Sequence, residues 1–336
     1  MSRLLRPAIV VLVAVACVFA LTATAFAALP NIIYSSSSDP TGNSSVIRSV
    51  NPANGASRQL TRISGWWDNC PSYTLDRETV FFLRELAYLP VSVSTSICCV
   101  PAGGGPVKDF GPLPGAGGSN PKSGLTVGRG ALYFADYRTW RYRGRAKITY
   151  RVVSVDLATK KTTVLWASTE DDSENQKVCL SLTAASDGTK LAFTREGTGE
   201  FILLDLVKKK SARPQPGIWI DNVVFSPDSR RILYSGVPKP TGKASESSAL
   251  ARVGYMTSSG ALSGKPIVTW RVADNTPWIE ACGWSPDMRQ LLLAKQMRVK
   301  DAPWASLWIY TPQGTLVRGV TASWTTGPWG RVSATW

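Results

Sequence analysis

The sequence predicts an all-β chain, a six-bladed β-propeller of four-stranded antiparallel blades whose ring is closed by pairing the C-terminal strand with the N-terminal blade. Three observations predict it. A hairpin pattern recurs along the chain at intervals of about fifty residues, a blade-like period. Beyond the first 27 residues helical periodicity is absent, and short alternating apolar runs are punctuated by Gly, Asn, Asp and Pro. The two ends of the chain each supply part of a blade, and the parts are complementary.

The elements follow in order. Arg3 and Arg6 precede the apolar run Ala8–Leu21, and Ala25-Phe26-Ala27 has the form of an A-x-A cleavage site. That order reads as a secretory signal peptide over residues 1–27, with 28–336 as the propeller. An uncleaved anchor and a lipoprotein modified at Cys17 are the alternatives. All three place the remainder outside the cytoplasm, as a secreted, periplasmic or envelope-attached domain, and membrane attachment is expected only through this N-terminal segment.

Naming the strands of a blade a to d outward from the axis, Ile32–Tyr34, Val46–Val50 and Arg58–Thr61 supply b, c and d of a first blade that lacks a. Five complete blades are expected near 66–115, 121–169, 174–216, 218–270 and 276–323. Arg331–Trp336 then supplies the missing strand a. Joined, the two ends make one blade and leave the ring without open edges.

The repeated unit is clearest at Trp219–Asp228, Trp278–Asp287 and Trp67–Asp76, each running through a tight turn into a short apolar strand, with a fainter copy at Leu180–Phe193. The turns Phe225-Ser-Pro-Asp228 and Trp284-Ser-Pro-Asp287 resemble the TolB-type, WD-like propeller repeat. So does Asn51-Pro52-Ala53-Asn54-Gly55 leading to Arg58-Gln59-Leu60-Thr61, and Asp68 matches an acidic position ahead of that motif. The resemblance covers essentially all of residues 28–336 and implies a propeller. It departs at Thr126–Gly130, which lacks the Pro-Asp turn, and TolB's preceding α/β domain is missing. It therefore carries a fold and no activity.

The chain has 38 Lys+Arg against 23 Asp+Glu and no His. Without His there is no Ser-His-Asp triad, no Cys-His nucleophile and no His-ligated zinc. No metal and no cofactor is expected. Cys70, Cys98, Cys99, Cys179 and Cys282 read as small packing residues, because strands two places apart in a blade are too distant for an unstrained disulfide. Asp228 and Asp287 are expected to bond their own turn backbone. The recurring Trp67, Trp219, Trp278, Trp284 and Trp336 read as blade-to-blade packing, and the loop residues Trp140 and Trp304 as exceptions.

Because chain direction reverses at every strand, all a–b and c–d turns fall on one face of the ring and all b–c and d–a connections on the other. The long insertions Ser35–Ser45, Glu85–Thr95, Asp136–Lys147, Gly236–Ala251 and Gln296–Trp304 are b–c loops, gathered on the second face, where binding is expected. The most distinctive carries Arg138, Trp140, Arg141, Tyr142, Arg143, Arg145 and Lys147, cations interleaved with aromatics. Guanidinium forks and aromatic surfaces suit an acidic protein, an anionic envelope polymer such as a glycopolymer, or lipid head groups. Nucleic acid fits the charge but not the compartment. Asp68, Asn69, Asp221 and Glu280 begin the inner strands and are expected at the channel mouth.

The function expected is non-enzymatic binding through the long-loop face. The alternatives are a carboxylate- or metal-dependent extracellular glycan hydrolase using the channel mouth, and an envelope scaffold with no small ligand.

Overall fold

The computed structural model describes residues 29–37, 44–62, 65–86, 95–112, 124–143, 145–171, 179–195, 199–239, 250–271, 278–299, 302–321, 324–325 and 332–336. The expected signal peptide lies outside the described residues. Within them every regular element is a strand and none is a helix.

In chain order the strands are β1 (Ile32–Ser37), β2 (Ser45–Val50), β3 (Ser57–Gln59), β4 (Trp66–Tyr73), β5 (Thr79–Leu86), β6 (Ser96–Pro101), β7 (Lys108–Pro112), β8 (Leu125–Gly128), β9 (Ala131–Tyr142), β10 (Arg145–Asp156), β11 (Thr162–Asp171), β12 (Cys179–Ala184), β13 (Lys190–Arg195), β14 (Glu200–Asp205) and β15 (Lys210–Ala212). They continue as β16 (Ile218–Phe225), β17 (Arg231–Pro238), β18 (Leu250–Thr257), β19 (Leu262–Arg271), β20 (Trp278–Trp284), β21 (Leu291–Val299), β22 (Ala302–Tyr310), β23 (Leu316–Gly319), β24 (Trp324–Thr325) and β25 (Ala334–Thr335).

Four antiparallel meanders follow one another: β8–β11, β12–β15, β16–β19 and β20–β23, with β24 added beside β22. The remaining strands form one sheet in the order β25-β1-β2-β4-β5-β6-β7, with β3 on β2. Its two halves meet through a single parallel pairing, Ser45 with Trp67. On either side of that bridge stand four antiparallel strands. The C-terminal β25 lies against β1, Thr335 opposite Ile33 and Ala334 opposite Tyr34.

The core clusters lie between successive sheets. Phe82, Val80 and Val100 of β4–β7 pack on Ile33, Ile47 and Leu60. Leu83 and Ile97 meet Leu125, Leu132 and Phe134 of the next sheet, and Tyr133 and Val152 meet Leu191 and Phe193. Ala192, Phe201 and Leu203 meet Ile220, Val223 and Phe225, and Leu233 and Val253 meet Leu291 and Leu293. The last sheet returns to the first: Leu292, Ala305 and Leu307 pack with Ile32, Tyr34, Val50 and Trp336. Each sheet is thus buried on both faces, which is why its strands read as nearly continuous Val/Ile/Leu/Phe runs.

The innermost strands touch through hydroxyls. Ser181 Oγ bonds both the amide and the carbonyl of Val223, and Thr183 Oγ1 accepts from the Phe225 amide at 3.2 Å. Equal steps of two residues in the same sense make these strands parallel, as the alternation of turns requires. Four inner strands also carry a register irregularity, at 69–72, 179–181, 220–222 and 281–283. Such bulges add local twist.

The Ser-Pro-Asp turns are built as expected. Asp228 Oδ1 accepts from Ser226 Oγ at 2.5 Å and from the Arg230 amide at 3.1 Å, while Ser226 Oγ caps Arg231 at both N and O. Ser285, Asp287, Arg289 and Gln290 repeat the pattern, and Thr74, Asp76, Glu78 and Thr79 repeat it with a threonine.

Candidate binding face

Two of the five segments expected to be loops are strands. Asp136–Lys147 belongs to a long hairpin, β9 running to Tyr142 and β10 starting at Arg145 with unbroken register. Gln296–Trp304 likewise continues β21 to Val299 and begins β22 at Ala302. Tyr137, Thr139, Trp140 and Tyr142 in the first, and Val299 and Trp304 in the second, are residue types that favour extended backbone. Parts of the other three segments lie outside the described residues.

The first hairpin is anchored at its root. Asp136 and Arg151 stand directly opposite one another and form an ion pair, with the Asp136 side chain 2% exposed. Beyond them Tyr150 and Ile148 are buried against Trp166. Arg195 reaches over from β13 of the next sheet, its guanidinium 5.2 Å from the Tyr150 ring centre and 5.8 Å from that of Trp166. It also pairs with Glu170 of β11 and, at 2.9 Å, with Glu200 of β14. A planar cation gripped by two carboxylates and two rings fixes where the hairpin leaves the sheet.

Past this root the ribbon is exposed. Lys147 stands opposite Trp140, Ala146 opposite Arg141 and Arg145 opposite Tyr142. The turn is made at Arg143 with φ 49°. Alternation places positions 138, 140, 142, 145 and 147 on one face and 141 on the other. Arg138 and Tyr142 are placed by backbone register. Trp140 is 43% exposed, and its Nε1 donates to Thr149 Oγ1 at 3.0 Å across the ribbon. Arg141, Arg143 and Arg145 are exposed, and Lys147 is half-buried. The seven basic and aromatic positions are thus brought together, on a stiff ribbon rather than a loop.

The second hairpin repeats the plan more weakly. Lys295 lies 3.9 Å from the ring centre of Trp308 at its root. Near its tip Met297 stands opposite Trp304, 45% and 37% exposed.

The channel-mouth group divides. Asp68 is not an open-mouth carboxylate: it is 1% exposed and held in a fork by Arg84, Nε to Oδ1 at 2.7 Å and Nη2 to Oδ2 at 2.8 Å. Asn69, half-buried, accepts from Ser35 Oγ and Ser45 Oγ at 3.3 and 3.4 Å. Asp221 and Glu280 are half-buried on β16 and β20, and the Asp221 carbonyl accepts from Thr194 Oγ1 at 3.1 Å. Among the described residues no group of three or more Cys, Asp or Glu side chains is placed to hold a metal ion. Burial pushes the Cys98 thiol up to about 12, and burial with the Glu280 charge raises Cys282 further still. Both stay protonated packing groups.

Sequence reasoning missed Asp136, Arg151 and Arg195 as the supports of the basic hairpin. A signal was present. Counted from their turns, Arg84, Arg195 and Lys295 occupy the same place on β5, β13 and β21, and each covers aromatic rings.

No family model matches the chain, and no curated protein matches it. Among solved structures it is similar to two candidate 6-phosphogluconolactonases. The one from Bacteroides uniformis ATCC 8492 has TM-score 0.50 and 11% identity, covering 91% of this chain and 99% of that one. The one from Bacteroides fragilis NCTC 9343 has TM-score 0.51 and 11% identity, covering 92% and 98%. These neighbours are β-propeller-like. At such identity the likeness is one of fold: an all-β, propeller-like assembly of four-stranded antiparallel sheets.

Proposed function

We propose that this chain is a six-bladed, TolB-type propeller acting outside the cytoplasm as a non-enzymatic binding module. Its partner is an anionic protein or polymer engaged through the face that carries the long hairpins. The observation that carries this reading is the basic hairpin of Ala131–Asp156, where exposed Arg141, Arg143 and Arg145 surround an exposed Trp140 on a ribbon braced at its root by Arg195. A cationic, aromatic surface held rigidly off the ring loses little entropy on binding a polyanion.

The six-bladed ring is supported by β25 lying on β1 and by the core cluster that joins the last sheet to the first. The family reading is supported by the shared hydrogen-bond plan of the turns at Asp76, Asp228 and Asp287. The hydrolase reading loses one of its three carboxylates, since Asp68 is consumed by Arg84.

Titrating a labelled polyglutamate and a labelled polyphosphate at several salt concentrations tests the proposal. Replacing Arg141, Arg143 and Arg145 with Ala is expected to weaken binding and to flatten the plot of log Kd against log salt by up to about three charges' worth. Unchanged affinity and slope would remove the hairpin from the site. Turnover of an extracellular glycan, abolished by Glu280→Gln, would establish the hydrolase reading instead.

A further inference from the structure

The proposed face carries more than charge. The ends of the b–c hairpins expose large apolar side chains: Trp140 at 43%, Met297 at 45%, Trp304 at 37% and Leu250, at the start of β18, at 53%. They come from three different sheets, β8–β11, β16–β19 and β20–β23. In a six-bladed ring the first and last of these stand across the axis from one another. Tips so placed bound no shared groove. All belong to the b–c end of their sheets, and on the basic hairpin the exposed Trp140 is accompanied by exposed Arg141, Arg143 and Arg145.

Trp with Arg and Lys is the pairing that settles at the boundary between lipid head groups and hydrocarbon, the indole body in the boundary layer and the cations on phosphates. A protein partner would need a shape complementary to separated projections. A bilayer needs only to be flat and negatively charged. Resting on the binding reading above, we infer that this face docks onto an anionic phospholipid surface, with Trp140 and the Met297–Trp304 pair entering the head-group layer and Arg141, Arg143 and Arg145 neutralising phosphates.

The test is co-sedimentation of the full-length protein with two vesicle preparations, phosphatidylcholine alone and two parts phosphatidylcholine to one part phosphatidylglycerol. The readout is the ratio between them, so that any contribution common to both kinds, such as one from the apolar N-terminal sequence, cancels. Each basic residue near an anionic surface adds roughly one kcal/mol, so the ratio is expected to fall about a hundredfold when Arg141, Arg143 and Arg145 are changed to Ala. Trp140→Ser with Trp304→Ser is expected to weaken anionic-vesicle binding at high salt, where the charges are screened. Because Trp140 also ties the ribbon through Thr149, Met297→Ser serves as a second, separate probe.

Equal binding of the wild-type protein to both vesicle types overturns the inference. Retained polyglutamate or polyphosphate binding without preference for anionic vesicles also overturns it, and leaves the anionic-partner reading standing. Absence of both kinds of binding overturns both.

Discussion

Arg84 and Asp68 face each other across β5 and β4, and their fork of two hydrogen bonds is sealed from solvent, the side chains being 11% and 2% exposed. Arg84 also lies 5.3 Å from the ring centre of Phe82 and 6.0 Å from that of Trp66. Breaking a buried pair by removing one partner strands the other charge. Asp68→Ala is expected to cost about 3–5 kcal/mol in chemical denaturation, whereas the double change Asp68→Leu with Arg84→Met recovers most of that loss. A double variant no better than the single would show that the pair is not the reason.

The indole of Trp336 donates to the Pro30 carbonyl at 3.0 Å and is 4% exposed within the cluster joining last and first sheets. Trp336→Ala should cost about 3–5 kcal/mol, as for other buried large-to-small changes. Thermal unfolding should remain a single transition if the sheets unfold as one ring.

Acid should loosen the turn face first. The Thr74 hydroxyl and the Glu78 amide hold the Asp76 carboxyl below its ordinary value. At Asp228 burial works the other way, but the Ser226 hydroxyl, the Arg230 amide and the charges of Arg231 and Arg230 outweigh it. A carboxylate whose folded pKa is depressed stabilises the fold above its unfolded pKa and loses that contribution as pH falls through the folded value. The loss therefore falls below about pH 4. Asp76→Asn with Asp228→Asn keeps the acceptor oxygen and removes the charge, so its stability profile should be flatter in that range.

Several c–d turns place a single residue at positive φ. In two of them it is Gly260 at 90° and Gly314 at 93°, and in a third it is the exposed Lys209 at 53°. Relief of the left-handed strain exceeds the entropy that glycine adds to the unfolded chain, so Lys209→Gly should stabilise by about 0.5–1 kcal/mol. Gly314→Ala should do the opposite, by about 2 kcal/mol or more, because the new Cβ would sit 2.3 Å from the Ile267 carbonyl oxygen of the neighbouring sheet.

The strands and turns of the sheets were legible because burial on both faces writes itself as apolar runs, and because Ser226-Pro227-Asp228 and Ser285-Pro286-Asp287 mark the same turn twice. The pairing of the two ends was legible from the missing strand a. The hairpin tips were not. Trp140, Arg141, Arg143, Arg145 and Ala146 are exposed, so no apolar face announces a strand, and cross-strand pairing holds the ribbon extended. The fate of Asp68 was hidden for a different reason. Its partner Arg84 is sixteen residues away and meets it only once the turn at 74–79 fixes the register.

Both binding proposals need hairpins from sheets far apart in the chain to act from one end of one ring, and that rests on the chain closing upon itself. The direct test replaces Ile33 and Thr335, which stand opposite one another, with Cys in a background where the native cysteines are Ser. A closed ring predicts that a disulfide forms under mild oxidation, in monomers, and raises the unfolding temperature. Failure to cross-link, or cross-linking only between molecules, would contradict closure and with it the shared face.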